Sequence, residues 1–273
     1  MLTGVGLAGC GRMGLPMLRA LRGAGFDARG LDVRPPAAFG AAAAYVTDDP
    51  AAFARGLSTL LVVVRDADQV ERLLFGDQNL LGRAGDLRTL IVCSTLSPRY
   101  VRGLRDRVPE ALRLVDAPMS GAQLAARDRT LSFMLGGSDA DLDLLQPLFD
   151  AMGRHFHRMG PFGAGMTAKV LNNLLAAANT AMTRLVLDWG DAQGLEERAL
   201  LDLIGTSSGQ NWLASGFDGI EFARDGYADD NTIGILAKDV AAALDGAPAG
   251  ADTALPDAVR AAILALSPRP RRD

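Results

Sequence analysis

Apolar positions fall in two registers along this chain. Up to about residue 160, short continuous runs such as LLVVV (60–64) and LIVC (90–93) alternate with stretches whose apolar residues recur every three or four positions. Continuous runs suit strands buried on both faces, and the longer periodic stretches suit amphipathic helices. The pattern predicts strands at Gly4–Ala8, Ala28–Val33, Ala44–Thr47, Thr59–Val64, Thr89–Ser94, Leu112–Ala117, Thr130–Gly136 and His155–Met159. Helices are expected between them at Gly14–Ala24, Ala67–Leu74, Pro98–Arg107 and Asp139–Met152. Strand–helix alternation of this kind builds a parallel, doubly wound sheet.

After Gly165 the strand signal disappears. From Met166 to Ala192 there is no proline, Gly190 is the only glycine, and the apolar period is helical throughout. One long helix is expected there, followed by helices near Glu196–Gly205, Trp212–Phe222, Thr232–Leu244 and Pro256–Ala265. The chain therefore divides into residues 1–162, which are α/β, and 163–273, which are all α, across the joint PFGAG (161–165). The tail Ser267–Asp273, rich in Arg and Pro, is expected to fray.

Composition narrows the function. With 273 residues and 49% apolar content, two cores are feasible, and a net charge of −4 gives no footprint for nucleic acid. No apolar run reaches the roughly 18 residues of a membrane helix, so no membrane partner is expected. The two cysteines, Cys10 and Cys93, form no spaced framework, which fits a reducing cytoplasm. Of 28 basic residues only two, Lys169 and Lys238, are lysine. A desolvated lysine exchanges its proton where arginine does not, so these two positions draw attention.

The stretch LAGCGRMG (7–14) admits two meanings. Leu7-Ala8-Gly9-Cys10 spells a lipobox, but the six residues before it hold no Lys or Arg and two glycines, unlike a signal peptide. Gly9, Gly11 and Gly14 spell GxGxxG, directly after a predicted strand and opening a predicted helix, with Asp32 ending the next strand. That context fits a dinucleotide turn: a tight bend at Gly9, backbone close to a pyrophosphate at Gly11, with Arg12 and Met13 in the turn, and close helix packing at Gly14. Asp32 would bond the ribose hydroxyls and repel a 2′-phosphate, which favours NAD over NADP. Arg34 stands close enough to pair with such a phosphate.

Four stretches together resemble the β-hydroxyacid dehydrogenase family, which includes 3-hydroxyisobutyrate dehydrogenases and tartronate semialdehyde reductases. They are GCGRMGLPM (9–17), CSTLSP (93–98), DAPMSGA (116–122) with TLSFMLGG (130–137), and GAGMTAKVLNN (163–173), and AKD (237–239) adds a fifth. The resemblance covers nearly the whole chain. It implies an N-terminal Rossmann doubly wound sheet, an all-α C-terminal domain and a long interdomain helix. It also implies hydride transfer between NAD and a small carboxylate-bearing hydroxyacid, and association as a homodimer or homotetramer. Lys169 matches the family's acid–base lysine, and Asn173 the residue that keeps lysine and substrate in register. Ser120 and Gly121 match the carboxylate-binding pair, Thr95 a nicotinamide contact, and Lys238 a lysine at the cofactor. Lys169, Asn172 and Asn173 also share one helix face by their i, i+3, i+4 spacing. The family's glycines at 122, 125 and 129 are Ala122, Ala125 and Arg129 here, a change in the loop bordering the substrate.

Other residues carry less. His155 and His157 share a strand face, as metal ligands do, but no third ligand is evident and no metal is expected. Trp189, Trp212 and Phe217 read as core or subunit-contact residues, and Glu196-Glu197-Arg198 as a solvated helix start. Two alternative activities stand beside the first: an imine or NADPH-dependent semialdehyde reductase, and a non-catalytic NAD-binding protein.

Overall fold

The computed structural model describes residues 2–271. By packing, the chain forms two compact units, Met1–Lys169 and Val170–Asp273. The division falls inside a long helix, a little beyond the joint expected at 162/163.

Among its described residues the first unit is built on nine strands: β1 (Val5–Ala8), β2 (Ala28–Leu31), β3 (Val46–Thr47), β4 (Thr59–Val62), β5 (Thr89–Val92), β6 (Arg113–Asp116), β7 (Met119–Ser120), β8 (Leu131–Gly136) and β9 (Gly153–Gly160). Their order is β3-β2-β1-β4-β5-β6-β8-β7, with β9 pairing β8. The first six pair in parallel, Val5 lying opposite Ala28 on one side and Thr59 on the other. Residues of β1, β4 and β5 are buried throughout, because helices cover both faces of the sheet. The sheet is mixed rather than purely parallel: β8 runs antiparallel to β6 and β7. Pro118, with no N–H to give the ladder, separates β6 from β7.

The helices of this unit are α1 (Gly14–Gly23), α2 (Pro50–Ala54), α3 (Ala67–Leu74), α4 (Leu80–Arg83), α5 (Pro98–Gly103), α6 (Ala122–Arg127) and α7 (Asp139–Met152). Their starts follow local chemistry. Asp66 caps α3 by accepting from the Gln69 N–H, and Ser138 caps α7 by accepting from the Asp141 N–H. The short α2, α4 and α6 carry too few turns to show a period in the sequence. One apolar core unites α1 and α7 with the sheet, including Met17, Leu18, Leu21, Phe133 and Phe149, and a second lies on the opposite face.

α8 (Ala164–Ala192) spans 29 residues. The second unit continues with α9 (Glu197–Gly205), α10 (Trp212–Ser215), α11 (Thr232–Asp245) and α12 (Ala254–Leu264). The helix expected to reach Phe222 stops at Ser215, where Gly216 and Gly219 turn the chain. Phe217 is core, whereas Trp189 is 62% exposed.

Two expectations fail here for one reason. Glu197 is buried, not solvated, and the tail is pinned, not frayed. Arg269, with a side chain 5% exposed, contacts Glu197 at 2.6 Å, Asp188 at 2.5 Å and Asp191 at 2.7 Å. Its N–H donates to the Arg224 carbonyl, and Arg224 itself pairs with Glu197 at 2.6 Å. Arg184, fully enclosed, donates to the carbonyls of Ala223, Asp225 and Ser267. Residues 272 and 273 of the tail lie outside the described residues.

Candidate active site

The carboxyl ends of the strands gather the predicted cofactor residues within the first unit. Gly9 follows β1 at φ +96°, and its N–H donates to the Leu31 carbonyl at 2.9 Å. A Cβ at Gly9 would stand 2.3 Å from the Val63 carbonyl oxygen, and one at Gly14 would stand 1.9 Å from the Gly9 oxygen. Both positions exclude any side chain. Gly11 differs, since the space its Cβ would occupy is open to 4 Å. Backbone there is bare to an approaching ligand. α1 begins just beyond, with Met13 at its N-cap and no side chain bonded to its first N–H groups. The Leu15 N–H already bonds the Gly11 carbonyl at 3.1 Å, and a helix start without a side-chain cap suits a pyrophosphate. Arg12 is exposed in the same turn and Met13 half-buried. Thr95 lies past the end of β5.

Asp32 stands immediately beyond β2. Its carboxylate accepts from the Arg34 N–H at 3.0 Å and Nε at 2.9 Å, while the guanidinium also donates to the Cys10 carbonyl at 2.9 Å and covers the Phe39 ring. Burial alone would raise the Asp32 carboxyl; the bonds from Arg34 bring it net below the usual carboxylate range. Cys10 is enclosed, and burial pushes its thiol up to about 12, so it packs rather than reacts.

Lys169 and Ser120 meet. The Lys169 Nζ donates to Ser120 Oγ at 2.9 Å, and the residue is 6% exposed. Ser120 ends β7, and Gly121 follows at φ +131°, a conformation closed to most side chains. Two of the three positions that depart from the family's glycines sit in the left-handed region: Ala122 at φ +51° and Arg129 at +56°. The loop keeps a glycine-type backbone without the glycines.

In the second unit, Asn173 Nδ2 donates to Asp239 at 2.6 Å and Lys238 contacts the same carboxylate at 2.9 Å. Asn172 is exposed and bonds Asn173. Asp239 is buried, so it fixes both neighbours.

Two groups had no role assigned from sequence. Asp239 was visible only as part of AKD. Asp116 closes a buried apolar run, as Asp32 does, and that was its signal; it is buried and accepts two backbone N–H bonds at the start of α8. His155 and His157 lie exposed on β9.

With this geometry in hand, the likenesses to known proteins fall into place. Residues 4–160 match the family described as the NAD binding domain of 6-phosphogluconate dehydrogenase. Residues 163–267 match that described as the NAD-binding of NADP-dependent 3-hydroxyisobutyrate dehydrogenase. The chain is 33% identical to a 3-hydroxyisobutyrate dehydrogenase of Pseudomonas aeruginosa over 91% of this chain and 86% of that protein. It is 32% identical to an NAD-dependent L-serine dehydrogenase of the same organism, over 91% and 87%. Its fold matches that of a Mycobacterium tuberculosis 3-hydroxyisobutyrate dehydrogenase solved with L-serine, at a TM-score of 0.79 and 24% identity, covering 98% of this chain and 97% of that one. The protein is thus an NAD(P)-dependent hydroxyacid dehydrogenase with NAD as its cofactor, and the chain is a member of the β-hydroxyacid dehydrogenase family.

Proposed function

We propose that the protein interconverts a small 3-hydroxyacid, of the size of 3-hydroxyisobutyrate or serine, and the matching semialdehyde, with Lys169 as general acid–base. The observation that carries this reading is the amine of Lys169, withdrawn from solvent and held on Ser120 at the carboxyl edge of the sheet. Ligands of open α/β sheets bind at that edge.

Gly9, Gly11, Gly14 and the start of α1 would hold the pyrophosphate, and Asp32 would hold the adenine ribose. Bound NAD supplies the hydride acceptor. The carboxylate of the substrate lies against Ser120 and Gly121, which places its hydroxyl near the lysine. In oxidation the neutral Lys169 amine takes the hydroxyl proton as the C–H bond gives up its hydride. In reduction the ammonium returns a proton to the carbonyl oxygen. The roles of Thr95, Asn172, Asn173 and Lys238 come with the reading on the family resemblance. A cytoplasmic setting is part of the proposal on the cysteines alone: Cys10 and Cys93 are buried and form no disulfide, which suits a reducing compartment.

The test is NAD reduction over 3-hydroxyisobutyrate, L-serine, D-glycerate, β-hydroxypropionate and threonate, with wild type and Lys169→Ala. Loss of a proton-transfer group costs about 10²–10⁴ in rate. The variant should lose at least about 100-fold in kcat while its NAD affinity, read by calorimetry, stays within about twofold. Turnover retained by Lys169→Ala would sink the reading.

Self-association completes the proposal. Leu171, Leu175, Met182, Leu185 and Trp189 recur at three- and four-residue steps or their sums along α8, each between 41% and 63% exposed. A stripe of this kind on one helix is a face for another copy of the chain.

A further inference from the structure

We propose that Asp116 is a positioning residue: its carboxylate, enclosed under the start of α8, clamps the first turn of that helix and so sets where Lys169 stands. This rests on the assignment of Lys169 given above, but its own geometry is independent of substrate.

One carboxylate oxygen accepts from the Gly163 N–H at 2.6 Å, the other from the Met166 N–H at 2.5 Å. These are donors at the beginning of a helix, where no carbonyl of the preceding turn is available to them. Asp116 is 0% exposed, and the chain is shaped around it. A Cβ at Gly136 would lie 2.1 Å from one of its oxygens, and a Cβ at Gly165 would lie 3.0 Å from the other. The start of the helix bonds the carboxylate directly. Lys169 follows Met166 by three residues, about one helical turn along the same face, and its amine meets Ser120, which lies on β7 just after β6 in the chain. One short segment, Asp116 to Ser120, therefore holds α8 at two points: a charge at its first turn and a hydroxyl on its lysine. A lysine that must meet a hydroxyl within hydrogen-bond reach depends on such anchoring, since misplacement by about 1 Å can cost about 100-fold in rate.

The charged and titratable neighbours of the carboxylate are few. Arg102 of α5 acts on it through space and donates to Thr167 Oγ1 at 3.2 Å, a second tie on the same turn. Cys93, past the end of β5, faces it with a thiol that burial holds in its protonated form. Burial raises the Asp116 carboxyl to about 6, with the two N–H bonds and Arg102 opposing the rise. The clamp is therefore charged at neutral pH and protonates within a range where the enzyme can be assayed. A protonated carboxyl keeps only one good acceptor for two N–H groups.

The experiment runs the reaction in the reducing direction. There Lys169 must carry the proton it donates, so a loss of kcat on the acid side does not come from Lys169. Wild type should show kcat falling below an apparent pKa near 6. Asp116→Asn, which offers one acceptor and one donor to two donors, should lower kcat at least tenfold, erase that acid limb and leave the Kd for NADH within twofold. A variant with wild-type kcat, or with an unchanged acid limb, overturns the proposal. Should the variant fail to fold, hydrogen exchange on the wild type decides. Protection of the Gly163 and Met166 amides, corrected for intrinsic rate, should change with a midpoint near pH 6, where the carboxylate that accepts them takes up a proton; constant protection from pH 5 to 8 overturns it. Retained activity in Lys169→Ala would instead strike the function assigned above and leave the exchange result standing.

Discussion

At the scale of single residues, charge placement governs this molecule. Asp116 keeps a carboxylate where desolvation opposes one, and the sign of its effect on stability follows. Its folded-state pKa, about 6, lies above the unfolded value, so the folded chain binds the extra proton across the interval. The stability this gives is complete below the unfolded pKa and is lost as pH rises through about 6. The ionised clamp is thus kept at a cost to the fold. Asp32 is the opposite case, drawn below its ordinary value by Arg34 against the effect of burial. Arg34 also determines how a 2′-phosphate would be received. Wild type should bind NAD at least about tenfold more tightly than NADP, about 1.4 kcal/mol. Arg34→Ala should weaken NADP by roughly another tenfold, a loss within the range of a charged hydrogen bond, and change NAD by less than about threefold. Isothermal titration with both nucleotides checks this, and an NADP affinity raised by the substitution would contradict it.

At the scale of elements, α8 joins several tasks in one rod. Its first turn is tied to Asp116, its sixth residue is Lys169, and its later turns carry both buried contacts such as Ala177 and Leu187 and the exposed apolar stripe. Glycine would soften such a helix and proline would break it, and its sequence has only Gly165 and Gly190. The stripe leads to a measurable expectation. In sedimentation at micromolar concentration the protein should run as a dimer or tetramer, and Leu175→Glu combined with Met182→Glu should shift it to monomer. A wild-type monomer at 100-fold higher concentration would dismiss the stripe as an interface.

At the scale of the whole molecule, each unit has its own apolar core, but the second adds a closed set of charges. Arg269 at the end of the chain meets three carboxylates, and Arg184 caps the carbonyls at Ala223, Asp225 and Ser267. Removing one side of a buried pair leaves its partners enclosed and uncompensated, typically at about 3–5 kcal/mol. Arg269→Ala should therefore destabilise the second unit by roughly 3 kcal/mol, seen as an earlier calorimetric transition, and Arg269→Lys should recover only part of it. A transition unmoved by Arg269→Ala would show that the tail adds nothing.

The sequence by itself determined what depends on neighbours in the chain. Continuous apolar runs gave β1, β4 and β5, the helical period gave α7 and α8, and GxGxxG gave the tight glycine turn between β1 and α1, because strand burial, helix period and turn geometry are written within a few residues. The two lysines stood out by composition alone. Only the tertiary structure decided what depends on distant partners: the antiparallel β8, the burial of Glu197 and Arg269, the bond from Arg34 to the Cys10 carbonyl, and the two bonds from α8 to Asp116. Glu197 and Arg269 look like ordinary surface charges in the sequence. Whether a charge is solvated or enclosed is set by which segments converge on it, and its neighbours here lie tens of residues away along the chain.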